Sequence, residues 1–263
     1  MWQPKIKPYK KDLQIRYPCA CEVKFDGEFV YWNGQNTLVN KRKNPKTTIS
    51  MLPNRGIYGE LYYGEGKEFY SEIHSHGGYN NKVILFDTDD YGHRPYIQRR
   101  TDLEVLGKLG IEITPMYICQ NAAEVQAQFD LIIKQGYEGA VVKPLDSYDD
   151  SSWVKMKKET TCTLLVKGLR KVKTIPTIVM GTQEKDLCSV SLNGWTNIIQ
   201  MLTDEKKERG IDSWVVGENK DAYILNSDIR LEILSNSFTP SGKLRNPRVI
   251  KIPHQDRPIT IGE

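Results

Sequence analysis

In the stretch ACEVKFDGEFVYWNG, residues 20–34, apolar and polar side chains alternate, with Cys21, Val23 and Phe25 set against Ala20, Glu22, Lys24 and Asp26. A period of two argues against a helix and predicts a half-buried β-strand. Its polar face constrains the chain further, because an ammonium stands between two carboxylates and Gly27 follows at once. A surface ion-pair ladder would account for that row. So would a lysine nucleophile, whose amine must be freed from an ordinary pKa of about 10.4. Neighbouring carboxylates push that pKa upward unless a cation neutralises them. The chemical reading therefore calls for Mg2+ and a phosphate chain in the same site.

Further β-like segments follow at GIYGELYYG (56–64) and KVILFDTDDY (82–91). Two helical stretches come next. RRTDLEVLGKLG (99–110) spaces Leu103, Leu106 and Leu109 along one side and closes on a glycine. NAAEVQAQFDLIIKQG (121–136) opens on a cap residue, Asn121, and closes on Gly136. Another strand, EGAVVKPL, begins at Glu138. Mixed strands and helices to residue 160 predict an α+β domain. From there the texture becomes short strands with one inserted helix, TNIIQMLTDEKKERG (196–210), which fits a small barrel of the OB type over 161–263.

The 263 residues suffice for two ordinary domains, and 39% hydrophobic with 27% charged residues suits a globular protein. No apolar run approaches the roughly 20 residues of a membrane span, and the basic N-terminus lacks a secretory signal, so a cytoplasmic protein is expected. Five cysteines without a CxxC pair suggest reduced thiols rather than zinc or disulfides. The net charge is only +4, yet basic residues cluster at 5–16, 41–46, 155–173 and 243–251. Such clusters suit solvated faces or a polyanionic partner.

EVKFDG resembles motif I, E-x-K-x-D-G, of the covalent nucleotidyltransferases, which comprise ATP-dependent DNA ligases, RNA ligases and mRNA capping enzymes. The rest of the series follows in order. GELYYG (59–64) looks like motif III, VILFDTDDY (83–91) like motif IIIa, YEGAVVKP (137–144) like motif IV, and WVKMKK (153–158) like motif V. SGKLRNPRVIKIPHQDRP (241–258) is similar to the OB-domain tail and motif VI, R-x-D-K, of ATP-dependent DNA ligases. It departs from that pattern by His254 for the arginine and Arg257 for the lysine. A second departure is Phe29, where motif I of DNA ligases usually continues to an arginine.

The resemblance implies a nucleotidyltransferase (adenylation) domain with mixed and antiparallel sheets, followed by an OB barrel. Lys24 would attack the α-phosphate of ATP to give lysyl-AMP, with Glu22 reading the adenine amino group. Asp26 and Glu138 would hold Mg2+, for which Mn2+ can substitute. Glu60 would bind the ribose and Phe86 would stack on the base. Lys143, Lys155 and Lys157 would contact the phosphates, and the K-M-K alternation puts the last two on one strand face. Arg42 would lie near AMP, Asp256 and Arg257 would close on the ATP phosphates, and Lys41, Arg42, Lys243, Arg245 and Arg248 would contact DNA. The implied activity is sealing of nicked duplex DNA by a monomer. Twenty-three residues precede Lys24, too few for a helical DNA-binding domain. An RNA ligase, a capping guanylyltransferase and a non-catalytic OB-fold nucleic-acid binder are the competing readings; Glu22 disfavours GTP, and the 241–258 tail disfavours an RNA ligase.

Overall fold

The computed structural model describes residues 6–8, 14–32, 34, 37–47, 55–64, 81–89, 93–170, 177–191, 215–220, 222–225, 229–239 and 241–251. They are mostly β, with two helices, and the chain divides into two compact units, Met1–Lys158 and Glu159–Glu263. No helix among the described residues is long and apolar enough to cross a membrane.

The first unit contains β1 (Lys7–Pro8), β2 (Cys19–Lys24), β3 (Glu28–Trp32), β4 (Leu38–Asn40), β5 (Pro45–Thr47), β6 (Ile57–Tyr63), β7 (Asn81–Thr88), α1 (Tyr96–Lys108), β8 (Met116–Cys119), α2 (Ala122–Lys134), β9 (Gly139–Pro144) and β10 (Val154–Lys157). Two five-stranded sheets result, in the orders β1-β10-β9-β2-β8 and β5-β4-β3-β6-β7. Asn121 caps α2 as its position predicts, accepting from the Glu124 amide at 3.0 Å. Its apolar stripe, Val125 and Ile132, covers Cys19, Cys21, Val23 and Phe25 of the first sheet. Leu103 and Leu106 of α1 close a second core on the other sheet with Val30, Trp32, Leu61 and Leu85.

Two expectations change here. Residues 19–24 form a strand buried on both faces rather than half-buried, because Tyr96 and Trp153 pack with Ala20 on its polar face, beside Val141 of the neighbouring strand. Leu109 is not on the buried stripe of α1. It is the C-cap and 56% exposed, while the stripe runs through Tyr96, Arg99, Arg100, Leu103 and Leu106.

In the second unit, β11 (Thr160–Arg170) is the central strand, followed by β12 (Thr177–Gly181), β13 (Asp186–Ser191), β14 (Val215–Glu218), β15 (Ala222–Leu225), β16 (Arg230–Ser235), β17 (Ser237–Phe238), β18 (Leu244–Arg245) and β19 (Arg248–Lys251). The first half of β11 pairs with β16 and the second half with β12 and β15, the register shifting between Val166 and Gly168. A bulge in a long strand that serves three neighbours bends the sheet around one core. That core contains Leu164, Val166, Ile178, Met180, Leu231 and Ile233. The helix expected at 196–210 lies outside the described residues.

Candidate active site

The site is set by register across three strands. Lys24 of β2 and Lys157 of β10 both pair with Gly139 of β9, one from each side. Glu138, immediately before that glycine, therefore stands between two ammonium groups, and its carboxylate is ion-paired with both. Gly139 is required for the approach, because a Cβ there would lie 2.0 Å from the Met156 carbonyl oxygen. Farther along the same face Glu22 pairs with Val141, and Val141 with Lys155. Met156, between the two motif V lysines, faces the core, so Lys155 and Lys157 share the site face as their alternation predicts.

The second sheet supplies the opposite wall. Gly27 ends the motif I turn against β6, where a Cβ would meet the Leu61 carbonyl oxygen at 2.2 Å and Glu60 Cγ at 2.7 Å. That contact places Glu60 beside Lys24. Between the walls lies a cavity of about 310 Å³ lined by Glu22, Lys24, Phe29, Lys41, Glu60, Phe86, Lys143, Lys155 and Lys157, among others. Phe86 is only partly buried and presents its ring to the cavity beside Phe29, the two centroids 6.3 Å apart. Phe29 in turn stacks on Tyr58 at 6.0 Å, so the position of the usual arginine is an aromatic wall.

Charges in the cavity oppose one another. Burial alone would lower the Lys24 pKa, but Glu138, Glu60 and Asp26 outweigh it and raise it. The Glu138 carboxyl shows the complement: burial pushes it up, and Lys24 and Lys157 hold it below its ordinary value. Among the described residues Glu60 has no such pair; burial, with Glu138 and Asp26 nearby, pushes it up to about 7 despite Lys24. Lys155 is lowered by burial and by its neighbours Lys157 and Lys24. A surplus carboxylate and crowded ammonium groups thus stand side by side in one buried site.

Among the described residues no three metal-ligating side chains cluster closely enough to hold an ion by themselves. Asp26, which is 5% exposed, and Glu138 offer hard oxygen donors close to Lys24, although neither lines the cavity itself. Mg2+ is usually held by one or two carboxylates plus substrate phosphates and water, so this donor set fits it.

Two of the expected site residues differ from the others in position. Lys143 lines the cavity from a buried place beside Glu22. Its ammonium is 1% exposed, paired with Glu22 at 2.7 Å and donating to the Phe86 carbonyl at 3.0 Å, beneath the rings of Tyr96 and Trp153. Arg42 is exposed and absent from the cavity lining, whereas Lys41 lines it. The turn explains this: Asn40 accepts from the Arg42 and Asn44 amides, both at 3.0 Å, and the tight loop sends adjacent side chains apart. Lys243 and Arg248 are exposed on the second unit and Arg245 is partly buried; Arg248 pairs with Glu159 at 2.6 Å. Asp256 and Arg257 lie outside the described residues. Sequence reasoning missed Tyr96 and Arg100, which reach Glu22 from α1. Neither lies in a motif, and an arginine pair in a helix reads as solvated surface.

No family model and no curated protein sequence matches the chain. Solved structures do. One from a structure-function study of Lig E DNA ligases aligns over 95% of this chain and 98% of its own, at a TM-score of 0.70 and 14% identity. A second, named Pmar-Lig_PreS3, aligns over 88% of this chain and 63% of its own, at a TM-score of 0.62 and 15% identity. The chain shares the fold of these structures.

Proposed function

We propose that this chain is an ATP-dependent DNA ligase of minimal form, with an adenylation domain over 1–160 and an OB-type barrel over 161–263, acting on nicked duplex DNA as a monomer. One observation carries the reading: the register that sets Lys24, Glu138 and Lys157 around Gly139, with Glu60 and Lys155 in the same cavity. An ammonium alone between carboxylates is a salt bridge. Opposite Glu60, in a cavity holding a base-sized aromatic wall and four further lysines, it suits the role of nucleophile toward the α-phosphate. The fold shared with Lig E DNA ligases supports the same conclusion.

In the first step the Lys24 amine forms a bond to the α-phosphorus of ATP as the bond to pyrophosphate breaks. Lys24 must first give up a proton, which leaves Glu138 with Lys157 as its remaining ammonium partner. Lys155, Lys157 and Lys41 meet the phosphate charge that builds in the transition state. In this reading Glu60 holds the ribose hydroxyls and Phe86 stacks on the base. Mg2+ bound by Asp26 and Glu138 would neutralise phosphate charge and take over that of Glu138. AMP then passes to the 5′-phosphate of the nick, and the 3′-hydroxyl displaces it. The second unit contributes Lys243, Arg245 and Arg248 to phosphate contacts that need no base reading.

Incubation with α-labelled ATP and Mg2+, followed by a denaturing gel, tests the first step; nick sealing on DNA and RNA duplexes tests the rest. Covalent label and preferential DNA sealing are expected. Protein that binds DNA without ever taking label would overturn the enzyme reading, and preferential sealing of RNA would shift it to the RNA ligases.

A further inference from the structure

Beneath the cavity, the carboxylate of Glu22 is 1% exposed and surrounded by donors. Tyr96 donates its hydroxyl to Oε1, and Arg100 Nη1 lies 3.4 Å from the same oxygen. Lys143 Nζ is 2.7 Å from Oε2. A carboxylate offers about four acceptor positions, two on each oxygen. Among the described residues Oε1 is thus filled from α1, and Oε2 keeps a single open lone pair beside Lys143.

The two α1 residues are themselves fixed. The next residue along, Arg99, makes a fully buried two-point pair with Asp87 at 2.9 and 3.1 Å and donates to the Ser147 carbonyl at 3.2 Å. Glu104 faces Arg100 Nε at 3.4 Å from one turn on. The Tyr96 ring packs edge-on to Trp153 at 6.0 Å. A helix clamped in this way holds the Glu22 carboxylate in one rotation, and a rotation of the carboxylate would exchange the filled oxygen for the open one.

Resting on the ligase reading above, we propose that Tyr96 and Arg100 are positioning residues that set nucleobase selectivity by presenting one open lone pair of Glu22 Oε2 to the purine edge. A purine with an amino group at its 6-position donates into that lone pair. A 6-oxo purine places an acceptor against a fixed acceptor and is rejected. Neither α1 side chain needs to touch the nucleotide.

ATP and ITP differ at the 6-position and are the probes. Covalent adduct formation with each would be measured for the wild type, Tyr96→Phe, Arg100→Met and Arg100→Lys, with melting temperatures alongside. A hydrogen bond to a charged group is worth enough that losing its fixed geometry should cut the ATP-to-ITP preference by about ten- to a hundredfold in Arg100→Met. Tyr96→Phe should lower it less, and Arg100→Lys should restore part of it. A purely structural role would lower both rates together, and an unchanged ratio in a folded Tyr96→Phe or Arg100→Met protein overturns the inference. If Arg100→Met does not fold, Tyr96→Phe decides alone. A wild type that labels with ATP but shows no preference over ITP also overturns it, whereas a wild type that takes no label from ATP defeats the ligase reading itself.

Discussion

At Lys24 the resting structure and the proposed chemistry call for opposite protonation states. Glu138, Glu60 and Asp26 keep the amine charged, while attack on phosphorus needs its lone pair. Replacing Lys24 with alanine should abolish covalent nucleotide labelling and sealing of an unadenylated nick; persistent acid-labile AMP on that variant would remove Lys24 from the role. Gly27 is the companion case. A single methyl there would strike a backbone carbonyl oxygen, which cannot swing away as a side-chain tip can. Gly27→Ala should cost about 1–3 kcal/mol of stability, read from denaturant unfolding, because it forces β6 away from the motif I turn. Labelling should fall with it, since Glu60 moves on the same strand.

Helix α1 joins the Glu22 side of the cavity to the rest of the first unit through charged residues. Asp102 on its outer side bridges Arg55 at 2.8 Å and Arg94. Burial would push the Asp102 carboxyl up, but the two guanidinium groups outweigh burial and hold it below its ordinary value. A depressed carboxyl stabilises the fold above its unfolded pKa of about 3.9 and loses that contribution as pH falls through the folded value. Asp102→Asn should therefore melt below the wild type at neutral pH, and the difference should begin to shrink below about pH 4 and vanish only once the pH lies below the folded value. A gap that persists unchanged in acid would mean the pair is not its source. This helix also marks where sequence reading stopped. Lys24 and Lys157 were legible because they lie in short motifs whose strand alternation fixes a face, and Glu138 because it immediately precedes the strand that pairs with both. Arg99 and Arg100 were not, since a buried arginine is recognisable only from its partner, and Asp87 and Glu22 lie on other strands. The same holds for Lys143, whose place in the motif suggests phosphate although its position opposite Ala20 puts it beneath Glu22. Arg42 and Lys41 could be told apart only from the Asn40 turn.

On the scale of the whole protein, the proposed substrate is a polyanion, and binding should be governed by salt rather than by base sequence. With about six phosphates neutralised, log K should fall with log salt at a slope of about −5. The Lys243→Ala, Arg245→Ala, Arg248→Ala triple variant should flatten that slope by up to about 3, with Arg248 contributing least because Glu159 already pairs with it. A folded triple variant with an unchanged slope would exclude this segment from the footprint. The ion pair between Lys24 and Glu138 has a consequence for the solution around the protein. An ammonium that ends as a phosphoramidate N–H has shed two protons, and pyrophosphate near neutral pH takes up about one. Charging with nucleotide should acidify an unbuffered solution, and the apparent heat of charging should change with the ionisation enthalpy of the buffer. Heats that are identical in phosphate and in Tris would mean that Lys24 was already neutral at rest.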